Sequence, residues 1–318
     1  MGICDVGVLR GEELLQYSFP GGHPLTARRL EQFWKDLEQD EVFRDGRARF
    51  LDPVMASEED LLLFHTPEYL AFTRKASDIG KGYLDNGDTP AFKGIFEAAS
   101  YSAGSTLKGL DIVLQGETKH VFNPMGGLHH ARRDRAGGFC VFNDSALAIA
   151  KSKIEYHLTR ILYVDIDVHH GDGVFYEFYD DPAVFIADIH EDGRSLYPGT
   201  GFEYETGGGE AKGSKLSLPL QPGAGDEEFK EAFQRVVDFT EKVRPELIVL
   251  QAGADGLEND PLAHLKYTPR AHSHAASLLH RLAHRYSNGR ILSLGGGGYS
   301  IGNVSAAWIA VVRALAGF

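Results

Sequence analysis

Short apolar runs rich in β-branched residues recur along the whole chain, and amphipathic stretches separate them. CDVGVL (4–9), KHVFN (119–123), RILYVDIDV (160–168), AVFIADI (183–189), ELIVLQAG (246–253) and RILSLGG (290–296) each read as a strand. Their apolar character is near-continuous rather than alternating. Such strands need cover on both faces, which is the condition of a parallel sheet between helices. The intervening stretches supply those helices. TARRLEQFWKDLEQD sets Leu30, Phe33, Trp34 and Leu37 at i, i+3, i+4, i+7. DEEFKEAFQRVVDFTEKV carries a stripe of Phe229, Phe233, Val236 and Val237 behind Asp226, the expected N-cap. TPRAHSHAASLLHRLAHRY opens with Thr268 as N-cap and Pro269 in the first turn. No repeat or low-complexity linker interrupts the alternation, and GGGEAKG (207–213) reads as a flexible loop. The expectation is one doubly wound α/β domain over residues 1–318, mainly parallel, with its ligand site at the carboxyl ends of the strands.

Composition removes several function classes. At 318 residues, 43% hydrophobic and 24% charged, the chain can bury a large core. Its start, MGICDVGVLRGEELL, lacks the basic-then-apolar pattern of a signal peptide, and Val6 breaks the myristoylation pattern. The apolar VSAAWIAVVRALAGF is too short to span a bilayer and carries Arg313. The expected location is the cytoplasm. Two distant cysteines, Cys4 and Cys140, exclude a CxxC motif and a Cys-rich zinc site. A net charge of −13 without any Lys/Arg-dense run argues against direct nucleic-acid binding.

The strand ILYV (161–164) runs into DIDVHHGDG (165–173), where five of nine residues are Asp or His. Burying several carboxylates without partners costs several kcal/mol per ion, so a cation is expected there. In an extended segment Asp165, Asp167 and His169 share one side. A second strand, LIVLQAGAD, ends in Asp255. A divalent ion held by Asp167, His169 and Asp255 would have three protein ligands and an open position, as in catalytic zinc sites. In NPMGGLHHARRDRAGGFCVFND (123–144) the tandem His129 and His130 sit between glycine-rich turns. Imidazole exchanges protons near neutrality, and Asp165 and Asp172 are the natural partners that fix its tautomer. ILSLGGGGYS (291–300) does not satisfy GxGxxG, since Ser300 occupies the sixth position, and GGGEAKGSK fails the P-loop because Ser214 stands where Lys is required. The glycines instead let the backbone pass a site closely and deliver Tyr299, a phenol able to donate to an oxyanion. His280 and His284, at i, i+4 in HRLAH, lack the metalloprotease glutamate because Arg281 takes its place, and they read as a solvated helix face.

With these residues assembled, the sequence resembles the histone deacetylase family in the broad sense that includes acetoin-utilisation proteins and acetylpolyamine amidohydrolases. GGHPLTARRL, FHTPEYL, GDTPAFKGIFEAA, GGLHHARRDRAGGFCVFND, YVDIDVHHGDG, LYPGTG, LQAGADGLENDPL and LGGGGY follow one another in the family's order. The resemblance is closest to the class I deacetylases and the acetoin-utilisation branch. It implies an arginase-like α/β fold and hydrolysis of an N-acetyl amide, with Zn2+ or alternatively Fe2+ on Asp167, His169 and Asp255. It implies His130 as general acid–base paired with Asp172, His129 with Asp165 as electrostatic helper, and Tyr299 on the acetyl carbonyl. Gly138, Phe139, Tyr197 and Leu262 are expected around the acyl-lysine stem, and Asp88 against the substrate backbone. A structural K+ is expected near the backbone of Asp165, Asp167, His169 and Asp188. Tyr197 departs from many class I members, which carry Phe there. The implied partner is an acyl-lysine protein or peptide. An acetylpolyamine deacetylase is the alternative. An arginase-like enzyme would need a second set of metal ligands. A non-catalytic acyl-lysine scaffold would be expected to have lost Tyr299 or a ligand, and this sequence keeps them.

Overall fold

The computed structural model of the chain describes residues 6–318. It contains eight strands: β1 (Val6–Leu9), β2 (Ala48–Leu51), β3 (His120–Asn123), β4 (Ile161–Asp165), β5 (Val184–Glu191), β6 (Lys215–Leu220), β7 (Leu247–Gln251) and β8 (Ile291–Leu294). They form one sheet in the order β2-β1-β3-β8-β7-β4-β5-β6, and every pairing is parallel. The α/β expectation therefore holds. Of the first expected strand, Cys4 and Asp5 lie outside the described residues.

β2 and β6 are additions to the six expected strands, and both are edge strands. An edge needs less apolar surface, so ARFL and KLSLPL lack the continuous apolar signature. Pro219 is tolerated in β6 because an edge strand leaves one row of amides unpaired. By contrast β4 and β7, at the centre, are buried at every position.

The helices pack in two groups. Arg28–Gln39, Asp226–Val243, Pro269–Tyr286 and Ile301–Leu315 form one, and Ile95–Gln115 with Asp144–Ile154 lies at the heart of the other, so both sheet faces are covered. The stripe Leu30, Phe33, Trp34 and Leu37 is buried as its period requires. One cap differs. The helix Asp226–Val243 is capped at Gly225, whose N–H donates to the Glu228 carboxylate at 2.8 Å. Asp226 instead accepts from the backbone N–H and the hydroxyl of Thr268, at 2.8 and 2.6 Å, and so joins two helix starts. Thr268 does cap its own helix. The 207–213 loop is tied rather than slack, closing through a short 3-10 turn at Gly209–Ala211 and a Gly213 N–H bond to the Thr206 carbonyl.

The central strands β3, β8, β7 and β4 adjoin one another, and the loops leaving their carboxyl ends carry His129 and His130, the GGGGY run, Asp255, and Asp167, His169 and Asp172.

Candidate active site

β4 ends at Asp165, one residue before the segment bends, so Asp165 and Asp167 do not share a single strand face as the extended reading expected. The bend sends the two carboxylates to different tasks. Asp165 Oδ2 meets His129 Nδ1 at 2.8 Å and accepts from the Tyr163 hydroxyl at 2.7 Å. Asp167 Oδ1 lies 3.1 Å from His169 Nδ1, and Asp255 Oδ2, arriving after β7, lies 3.2 Å from the same nitrogen. One donor atom from each of Asp167, His169 and Asp255 falls within 4.8 Å of the others.

This trio fits a divalent ion. Two buried carboxylates share one spot, and their repulsion drives their proton affinities apart. Burial works against the Asp167 anion, but the His129 cation and the contacts to His169 and Gln251 outweigh it and lower its pKa. Burial and Asp167 together raise that of Asp255. Burial disfavours a charged His169, yet hydrogen bonds to both carboxylates raise it to about 10. Positive charge is therefore demanded at this point, and two carboxylate oxygens with an imidazole nitrogen are suitable zinc or iron ligands. The backbone approaches closely: a Cβ on Gly297 would come within 2.0 Å of Asp255 Oδ2, so only glycine fits there. Gln251 Nε2 and the Gly297 N–H each donate to Asp167 Oδ2 at 2.8 Å and fix its orientation.

The tandem histidines lie beside the trio. His130 Nδ1 donates to Asp172 Oδ1 at 2.7 Å, while Arg132 Nη2 donates to Asp172 Oδ2 at 2.7 Å. This leaves Nε2 as the lone-pair atom of His130, 3.1 Å from Nε2 of His129. The two rings differ electrically. Burial opposes charge on His129, but Asp165 and Asp167 overcome it and raise it to about 10. Asp165 is itself pushed up to about 7, first by burial, so the proton of this pair resides on the imidazole at neutral pH. Burial and then the His129 cation push His130 down to about 4, against the pull of Asp172. At pH 7 His129 is charged and His130 is neutral.

Access is narrow. A small cavity is lined by His129, His130, Asp167, His169, Asp255 and Tyr299, with Gly138, Leu25 and Cys140 in its walls. Gly138 has φ +54, and a Cβ there would meet His130 Cδ2 at 2.3 Å. Phe139 adopts φ 69, rare for a side chain of its size. The Tyr17 hydroxyl donating to its carbonyl at 2.7 Å and the Thr89 hydroxyl accepting its N–H at 3.1 Å hold it there. Its ring stands edge-on to Tyr299, centroids 5.8 Å apart. Tyr197, 46% exposed, sets its ring 5.0 Å from His130 at the mouth. Outside lies a wider hollow of about 790 Å³, bordered by Asp88, Tyr197, Arg132 and Arg135. Asp85 organises the Asp88 loop by accepting the N–H groups of Gly87, Asp88 and Thr89. Leu262 lines neither hollow; its N–H donates to Asp260, whose other oxygen accepts the Tyr299 N–H at 2.7 Å.

Four positioning residues escaped the sequence reading. Asp144, wholly buried, accepts from Gly127 N–H, Leu128 N–H and the Thr106 hydroxyl, and so fixes the loop that presents both histidines. Arg29, 1% exposed, donates to the Gly296 and Gly297 carbonyls and stands 5.7 Å from the Tyr299 ring centroid. Gln251 and Asp260 complete the set. Each lies inside a stretch already singled out, but a lone polar residue there looks the same as a solvated one until its burial is known.

The parallel α/β sheet thus gathers carboxylate and imidazole groups at its carboxyl end, in an arrangement able to hold a metal ion. Comparison with known proteins narrows this. The histone deacetylase domain profile matches residues 23–315. The chain is 40% identical over 308 residues to the acetoin utilization protein AcuC of Bacillus subtilis (strain 168), spanning 94% of this chain and 77% of that protein. It is 32% identical over 317 residues to a probable deacetylase of Archaeoglobus fulgidus, spanning 98% and 86%. Histone deacetylase clr6 of Schizosaccharomyces pombe is 32% identical over 315 residues, spanning 96% and 75%. The HD domain of HDA15 superposes with a TM-score of 0.91 at 29% identity, over 99% of this chain and 88% of that one. The chain belongs to the histone deacetylase family.

Proposed function

We propose that the protein is a metal-dependent deacylase that removes acetyl groups from lysine side chains of proteins or peptides. The observation that carries this reading is the juxtaposition of a cation-demanding Asp167, His169 and Asp255 trio with a neutral His130 braced by Asp172, at the base of a narrow cavity. Asp167, His169 and Asp255 would hold a zinc or ferrous ion, which would supply Lewis acidity and lower the pKa of a water. His130 is neutral at pH 7 and accepts the water proton, then returns it to the leaving amine. The cationic His129, anchored by Asp165, favours negative charge developing beside it. Tyr299 keeps its proton because burial and Asp255 raise its pKa, so its hydroxyl is available to donate to the oxyanion. Gly138, Phe139 and Tyr197 admit a slender stem, and Asp88 at the rim accepts from substrate amides. Leu262 acts through the Asp260 loop that holds Tyr299. The ends of β4 and β5, where Asp165 and Asp188 are register partners, are the place for a structural K+.

No helix among the described residues is long and apolar enough to cross a membrane, in keeping with an enzyme acting in the cytoplasm. The test is purified protein assayed in parallel on acetyl-lysine peptides, acetylpolyamines and longer acyl-lysines, with Asp255→Ala and His169→Ala as controls. Turnover of peptides by the wild type, with activity and the trio's own metal equivalent both lost in the two folded variants, is the expected result. Preferential turnover of acetylpolyamines would move the substrate assignment. Full metal occupancy in both variants would overturn the trio.

A further inference from the structure

At the opposite end of the sheet from the cavity, three histidines converge. His120 is the first residue of β3, paired in register with Val6 and Ile291. His280 and His284 lie one turn apart on Pro269–Tyr286 and share a face. Ring centroids are 5.0 Å apart for His120 and His280, 5.5 Å for His120 and His284, and 4.5 Å for His280 and His284. One nitrogen from each ring falls within 4.8 Å of the other two. The solvated-face expectation therefore fits His284, which is exposed, but not His280, which is half-buried against His120.

The cluster is not a set of satisfied core histidines. His120 is 0% exposed, and neither of its ring nitrogens makes a hydrogen bond of good geometry, although the Lys119 backbone lies close by. Nδ1 of His280 is likewise buried and unbonded. A buried polar atom left unpaired is destabilising, and an apolar side chain would fill either position without that cost. The surroundings hold the rings in place. The Leu315 backbone faces His280 as a hydrogen-bond partner, which orients that ring. Gly289, at φ +83, packs its backbone on His284, and a Cβ there would lie 2.8 Å from Cε1.

We propose that His120, His280 and His284 form a second metal site, specific for a borderline divalent transition ion such as Zn2+, Co2+ or Ni2+, with its fourth position open to solvent beside His284. Three neutral imidazoles suit such ions and offer nothing to Mg2+ or Ca2+, which need oxygen ligands. Lys119 and Arg281 are the nearby cations that oppose binding. The bound ion would pin the start of β3 to the helix Pro269–Tyr286, far from the catalytic chemistry.

The experiment uses untagged full-length protein, stripped with chelator, re-equilibrated with Zn2+ or Co2+ and freed of excess metal. This inference stands independently of the proposed deacylase reading, and Asp255→Ala separates the two. Wild type should retain two equivalents per chain. Asp255→Ala should retain one, with Zn2+ raising its Tm by several degrees and Mg2+ leaving it unchanged. His284→Gln, an exposed change compatible with folding, should retain one equivalent and full activity, and the Asp255→Ala/His284→Gln double variant should show neither retention nor a Tm rise. His120→Asn should behave as His284→Gln does. A single equivalent in wild type together with no Zn2+ response in Asp255→Ala would overturn the proposal, as would a second equivalent that survives both His284→Gln and His120→Asn.

Discussion

Replacing His129 by Asn should move the acid limb of the pH–rate profile upward. The amide nitrogen of Asn can still donate to Asp165, but the positive charge is gone. That charge is the second largest cause, after burial, holding His130 down at about 4. The two Nε2 atoms are 3.1 Å apart. At this distance two unit charges repel by about 1.3 kcal/mol at a water-like dielectric and about 5 kcal/mol at an effective value of ~20. Divided by 1.36 kcal/mol per pH unit, this is roughly one to four units. Burial remains in the variant and keeps His130 below its ordinary 6.5, which caps the rise at about 2.5 units. The sign is fixed by the role. A general base must be neutral, so activity falls as pH drops through its pKa. Removing a cationic neighbour makes His130 easier to protonate, so activity is lost at a higher pH than in wild type. The assay is kcat/KM on an acetyl-lysine peptide from pH 4 to 9, with metal content and circular dichroism followed at each pH. A limb that moves by less than about half a unit, where at least about one is expected, refutes the charged His129 and neutral His130 assignment.

Tyr299→Phe removes the proposed oxyanion donor and keeps the ring packed on Phe139. kcat should drop roughly 10²–10³-fold while substrate binding, measured separately, changes little; a kcat within about threefold of wild type leaves the hydroxyl without its role. Gly138→Ala forces a methyl into the His130 ring from a positive-φ backbone, so kcat/KM should fall roughly 10²-fold through misplacement of the base, and unchanged kinetics in a folded variant would show that the loop yields freely. Asp88→Ala should weaken peptides much more than an acetyl-lysine analogue without flanking amides, and equal losses on both would make Asp88 a purely structural residue of the Asp85 loop.

The sequence by itself determined the parallel α/β architecture, because buried strands must be continuously apolar and their covering helices must carry a 3.6-residue stripe. It also marked the segments that the fold brings together around the Asp167, His169 and Asp255 trio, since clustered Asp and His after an apolar run such as ILYV cannot be buried without a cation or a mutual partner. Edge strands β2 and β6 stayed below notice because an edge relaxes the apolar requirement. The family resemblance implied how the labour is divided among the carboxylates, whereas the local spacing left it open, and the tertiary structure supplies its physical basis. Asp165 goes to His129, Asp172 to His130, and Asp167 to Asp255, because the chain bends after Asp165 and because Asp255 arrives from a strand adjacent in space but far along the chain. Burial likewise decided the roles of Asp144, Arg29 and Gln251, and set His280 against His120, for desolvation and partner geometry depend on what the fold brings near and leave no mark in local spacing.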